Sequence, residues 1–149
     1  MKKDPLIYDI EVFNKMNMVG FMDKTQHGYV MVNAPYLPSS KHKILGISVY
    51  INSSKMREHA LKHLQNETYN LFGFNNHDYD DFLVQDILIN RPLEYIKLKS
   101  DTIVKKDRFR ENLDWWSYDL REQMPLGFSL KKFESTATSF ETSQRVKSL

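Results

Sequence analysis

In the stretch Leu6-Ile7-Tyr8-Asp9-Ile10-Glu11-Val12-Phe13, two carboxylates sit at alternate positions inside a β-branched and aromatic run. Such a run reads as a strand, whose alternation puts Asp9 and Glu11 on one face and Ile10 and Val12 on the other. At about 3.3 Å rise per residue their α-carbons lie about 6.6 Å apart, so both side chains can converge on one hard cation, or on a pair about 3.5–4 Å apart. An edge strand with a solvated acidic face is the plainer alternative. A second polar group, Asn75-Asn76-His77-Asp78-Tyr79-Asp80-Asp81, follows the apolar run Tyr69-Asn70-Leu71-Phe72-Gly73-Phe74 and precedes a helical pattern through Phe82, Leu83, Asp86, Ile87 and Leu88. A strand that delivers polar groups to a helix N-terminus is where α/β folds place sites. An Asn- and Asp-rich helix cap would use the same residue types. A calcium loop does not fit, because Asp81 falls where glycine is needed and Ile87 where the bidentate glutamate belongs.

His59 and His63 are one helical turn apart, at the spacing zinc enzymes use. Ala60 stands where a zinc protease needs its glutamate base, so that chemistry is not encoded here. The chain has no cysteine, which excludes disulfides and thiolate-held zinc and leaves carboxylates, imidazoles, amides and backbone carbonyls as protein ligands.

Positioning these groups requires a sheet. Residues 16–22 and 29–32 form two further strands around the polar tip Asp23-Lys24-Thr25-Gln26-His27-Gly28, giving an antiparallel meander with the opening strand. Residues 34–43 carry two prolines and Ser39-Ser40 and read as a loop, with a single strand at 44–51. Asn52-Ser53-Ser54 caps a helix reaching about Gln65, with Met56, Ala60, Leu61 and Leu64 as its apolar stripe. Residues 91–112 are amphipathic and basic, with Lys97, Lys99, Lys105, Lys106, Arg108 and Arg110 on either a solvated face or a phosphate-contacting one. Trp115-Trp116-Ser117-Tyr118-Asp119-Leu120 reads as a last buried strand, and residues 127–134 as a helix capped by Ser129.

The length of 149 residues, with 41% hydrophobic and 13% aromatic content, fits one domain with a sizeable core. A formal charge of +2 is too near balance to indicate a nucleic-acid partner by itself. No apolar run approaches the length of a membrane span, and no signal-peptide core precedes the first strand. The expectation is a soluble, cytoplasmic protein of a bacterial or phage-infected cell, with no membrane partner.

Asp9-Ile10-Glu11 and the Asn75-x-x-x-Tyr79-Asp80 junction, in that order and about seventy residues apart, resemble the first two exonuclease motifs of the DEDD superfamily of ribonuclease H-like 3′–5′ exonucleases. The segments Tyr-Asp-Ile-Glu-Val-Phe from Tyr8, Gly-Phe-Asn-Asn-His-Asp-Tyr-Asp-Asp-Phe from Gly73 and Gly-Phe-Ser-Leu-Lys-Lys-Phe-Glu from Gly127 look most like the proofreading domain of DNA polymerases encoded by phages and mobile elements. The likeness covers roughly residues 5–135. It implies an α/β fold with a ribonuclease H-like mixed sheet, an N-terminal antiparallel meander plus parallel strands, flanked by helices. That domain would span 1–134, with a flexible or aberrant tail at 135–149. Carried over by position, Asp9, Glu11 and Asp80 would be catalytic, metal-binding carboxylates for two Mg²⁺ or Mn²⁺ ions. The 3′ end of single-stranded DNA would be the substrate, with Asn75, Asn76 and Tyr79 supporting the motif or the strand. Phe13 and Phe82 would be surfaces on which bases stack. Asp119 would have a structural hydrogen-bonding role.

One feature departs from that pattern. The family carries a fourth acid on a late helix, preceded by Tyr or His four positions earlier, whereas residues 135–149 contain only Glu141 as an acid. A truncated or frameshifted polymerase gene, separated from its polymerising portion, would end in this way. The expectation is therefore weak exonuclease activity at most. The alternative is a catalytically inactive nucleic-acid-binding module or polymerase remnant with the same fold.

Overall fold

Burial alternates along the opening run: Leu6, Tyr8 and Ile10 face the core, while Ile7, Asp9 and Glu11 face away from it. In the computed structural model, which describes residues 3–65, 69–106, 109–113 and 115–123, this run is strand β1 (Asp4–Val12). Strands β2 (Asn17–Asp23) and β3 (Gly28–Asn33) continue from it as the expected antiparallel meander.

The next part differs from the sequence reading. Residues 40–51 form a hairpin of β4 (Ser40–Ile44) and β5 (Ile47–Ile51), not a loop followed by one strand. Leu45 (φ 51) and Gly46 (φ 80) both take left-handed backbone at its tip, the twist a two-residue hairpin requires. Strand β5 then lies parallel to β3 and is locked there by Asn52, itself left-handed at φ 55. The Asn52 side chain accepts from the Ala34 amide (2.8 Å) and donates to the Ala34 and Leu37 carbonyls (2.8 Å each).

Helix α1 (Ser54–Gln65) leads to β6 (Tyr69–Gly73), which lies parallel to β1 on the side opposite β2. Helices α2 (Asp80–Leu88) and α3 (Leu93–Lys105) follow, and then β7 (Tyr118–Asp119), parallel to β6, and a 3-10 turn at Leu120–Gln123. The strand expected over 115–120 is thus only two residues long. The sheet order is β4-β5-β3-β2-β1-β6-β7, a seven-stranded mixed sheet in an α/β fold with three helices among the described residues. The helix expected at 127–134, the tail at 135–149 and the domain boundary between them lie outside the described residues.

Each of the three helices sends its apolar stripe into one core with the inward side chains of the sheet. Ala60 and Leu64 come from α1, Leu83, Val84 and Ile87 from α2, and Ile96 and Ile103 from α3, against Tyr8, Val19, Phe21, Met31 and Leu71. None of these helices is long and apolar enough to cross a membrane. On the opposite side of the sheet Ile7 and Met22 are exposed beside Asp9 and Glu11.

Candidate functional site

Strands β1 and β6 run in register only from Asp4↔Tyr69 to Ile7↔Phe72 and then part. In an open α/β sheet the crevice beyond parallel strand ends, at a point where the chain crosses over, is where ligands fit. Here β6 turns into α2, and Asn75 makes that turn in left-handed backbone (φ 59), a conformation asparagine tolerates well. Beyond the ladder, the Ile10 amide no longer meets β6; it donates instead to Asp80 Oδ2 at 3.1 Å. This bond draws the first residue of α2 against β1, and the Asp80 carboxyl also hydrogen-bonds Asp9. Two acids 71 positions apart in the sequence therefore share one crevice.

Their electrostatics follow from that closeness. Asp80 is only 5% exposed, and burial, reinforced by the charge of Asp9, pushes its carboxyl up to about 8, despite the opposing bond from the Ile10 amide. Near neutral pH Asp80 thus retains its proton. Glu11 is exposed on the same face as Asp9, and its charge reaches the Tyr79 phenol. Asp9, Glu11 and Asp80 do not bring ligand atoms from all three within 4.8 Å of one another; Asp9 and Asp80 form the close pair.

The neighbouring Asp81 has a different position. It is buried and accepts from the Tyr8 hydroxyl, from Asn76 Nδ2 (3.1 Å) and from Ser117 Oγ (2.6 Å). Burial raises its carboxyl to about 7, in spite of the Ser117 bond. Asn76, fully buried, also donates to Tyr8 (3.1 Å) and Ser117 (3.0 Å). It is therefore part of an interior network and is not a nucleic-acid contact. Phe82 is likewise corrected: at 6% exposed it packs edge-to-face on Phe109 inside the core and offers no face to a base. Phe13, at the end of β1, is 48% exposed and keeps an accessible ring.

Asn75 and Tyr79 line a groove of about 460 Å³ together with Phe109, Lys106, Arg110 and Arg121. The Tyr79 hydroxyl is 2.6 Å from Ser100 Oγ, which fixes the ring against α3, and burial raises its pKa. Of the basic residues read from the sequence, Lys97 pairs with Asp101 (2.9 Å), and Lys99 is held between Asp86 (2.7 Å) and Glu111 (2.8 Å). These two serve local packing, while Lys106 and Arg110 line the groove; Arg108 lies outside the described residues. Arg121 and Phe109 were not singled out from the sequence. The alternation Arg108-Phe109-Arg110 is a signal that could have found Phe109, while nothing in the sequence around Arg121 marks it.

No known family model and no curated protein matches the chain.

Asp119 holds the turn that carries Asn75 and His77. Its Oδ1 accepts from the Asn75 amide (2.8 Å) and its Oδ2 from the His77 amide (3.1 Å). His77, Asp119 and Glu122 have ligand atoms within 4.8 Å of one another, a group that could hold a metal ion. In this structure those atoms are engaged with one another and with the backbone. His77 Nδ1 is 2.6 Å from Glu122 and its Nε2 is 2.9 Å from the Ser117 carbonyl. Burial alone would lower the His77 pKa, but these two acceptors together outweigh it and raise it, favouring an imidazolium that donates to both.

Proposed function

We propose that this chain is a metal-dependent 3′–5′ exonuclease domain of the proofreading type, acting on the 3′ end of single-stranded DNA. The observation that carries this reading is the Asp9–Asp80 pair, assembled where β1 and β6 separate. The sheet supports it, since a β1–β3 antiparallel meander continued by β6 and β7 parallel to β1 is the layout of ribonuclease H-like sheets. On this view the β4–β5 hairpin is an addition to one edge.

The donor chemistry fits a divalent cation. A carboxyl that keeps its proton because it is buried beside another carboxylate gains if that proton is exchanged for Mg²⁺ or Mn²⁺, hard ions that need few protein oxygens. Asp9 and Asp80 would hold the ion, with Glu11 supplying a further oxygen from the same strand face. Bound there, a metal supplies Lewis acidity and lowers the pKa of water. The chain's own groups account for the rest. The cationic groove lined by Lys106, Arg110 and Arg121 suits the phosphates of a single strand, and Tyr79, Phe109 and Phe13 offer rings for its bases.

The test is digestion of 3′-labelled single-stranded DNA with Mg²⁺ or Mn²⁺, compared with the Asp9→Ala, Glu11→Ala double variant. Slow, metal-dependent shortening that is lost in the double variant is expected. Turnover that survives it overturns the assignment. The second reading, a module that grips DNA without cutting, draws on Glu11 not joining Asp9 and Asp80 within 4.8 Å. It is favoured if binding is steeply salt-dependent and no cleavage occurs.

A further inference from the structure

On α1, His59 Nε2 and His63 Nε2 are 3.0 Å apart, with the two rings nearly perpendicular at 85°. Both line a cavity of about 280 Å³ that shares no residue with the groove beside Tyr79. Asp23, at the end of β2, and His27, in the turn before β3, line it as well. His63 rests edge-on against Tyr69, which fixes its ring. His27 Nδ1 is 2.9 Å from Thr25 Oγ1, an arrangement that sets that ring's orientation.

Two imidazole nitrogens bound to one first-row metal ion at about 2.0–2.1 Å are separated by about 3 Å. The spacing here already matches that bite. Without a metal, one Nε2–H donates to the lone pair of the other ring. With a metal, both rings present Nε2 lone pairs, and the displaced proton moves to Nδ1 of the same ring. Imidazole donors suit Zn²⁺, Cu²⁺ and Ni²⁺ and are poor for Mg²⁺. We infer that His59 and His63 chelate one late first-row transition-metal ion at the mouth of this cavity. Asp23 and His27 line the same cavity, and no third His, Asp or Glu among the described residues joins the two histidines within 4.8 Å. The site is independent of the exonuclease reading, because no residue assigned to that reading lines the cavity.

The inference is tested on the full chain by calorimetric titration with Zn²⁺ and Cu²⁺ at pH 7.5. With Mg²⁺ in excess to occupy the carboxylate site, a binding event that does not depend on His77 is expected in the unaltered chain and, unchanged, in a His77→Ala variant. It should weaken at least tenfold in His59→Ala and in His63→Ala, and excess Mg²⁺ should not compete. The Cu²⁺ complex of the unaltered chain should also show electron-spin coupling to two imidazole nitrogens, a readout that needs no variant. Affinity unchanged within twofold in both histidine variants, or coupling to fewer than two nitrogens, overturns the site.

Discussion

Replacing Asp80 by asparagine should make the protein more stable at pH 8 and leave it nearly unchanged at pH 4. The Asp80 carboxyl moves from 3.8 to about 8 on folding, because it is buried and faces Asp9. Its contribution to stability is complete below the unfolded value and is lost as pH rises to the folded one, since over that window the folded chain holds a proton that the unfolded chain has released. At about 1.4 kcal/mol per pH unit, the loss has a ceiling of about 6 kcal/mol. Sharing of the proton between Asp80 and Asp9 reduces it, and about 2–4 kcal/mol is expected at pH 8. Asparagine mimics the protonated acid: its oxygen can accept from the Ile10 amide and its NH₂ can donate to Asp9. Asp81, also raised by burial, contributes the same slope in both proteins and cancels in the comparison. The assay is urea denaturation from pH 4 to 8.5 in chelator, read as the difference between the two proteins. Adding Mg²⁺ at pH 8 should raise the midpoint of the unaltered protein and not that of the variant. Parallel stability curves over the whole pH range would refute the assigned burial and the Asp9 contact together.

Two further outcomes follow from the packing. A Cβ at Gly73 would sit 2.6 Å from Asn76 Cγ, so Gly73→Ala should displace Asn76 from Tyr8, Asp81 and Ser117 and cost about 2–3 kcal/mol, measurable as a lowered urea midpoint. Lys99, with 12% of its side chain exposed, is held by Asp86 and Glu111, so Lys99→Met should leave the partly buried Asp86 without its closest cation and cost about 2–3 kcal/mol. Thermal melts of the two proteins at pH 7 would show the loss.

Strand β1 was legible because its alternation is uninterrupted and Asp9 and Glu11 break only the outer face. The strand-to-helix junction at Asn75 was legible for a similar reason, since an apolar run ends abruptly in hydrogen-bonding side chains. The β4–β5 hairpin was not. Its turn is Leu45-Gly46, with a leucine in left-handed backbone, and Ile44 to Ile51 therefore resembles one continuous strand. The resemblance gave Asn76 as supporting the motif or the strand and Phe82 as a surface on which bases stack. On the first turn of a helix and the turn before it, neighbours point in different directions, and both side chains go inward. The basic character of residues 91–112 overstated the cationic surface, because the partners of Lys99 come from α2 and from Glu111, the latter beyond the end of α3.

The adjacent acids at the start of α2 aim in separate directions, Asp80 to β1 and the crevice and Asp81 to the Tyr8, Asn76 and Ser117 cluster. Each residue step rotates a helix by about 100°, so the hidden cluster works as an index mark for the helix's rotational setting. Alterations at positions 8, 76 or 117, none of which faces the crevice, would be felt there as a mis-aimed carboxylate.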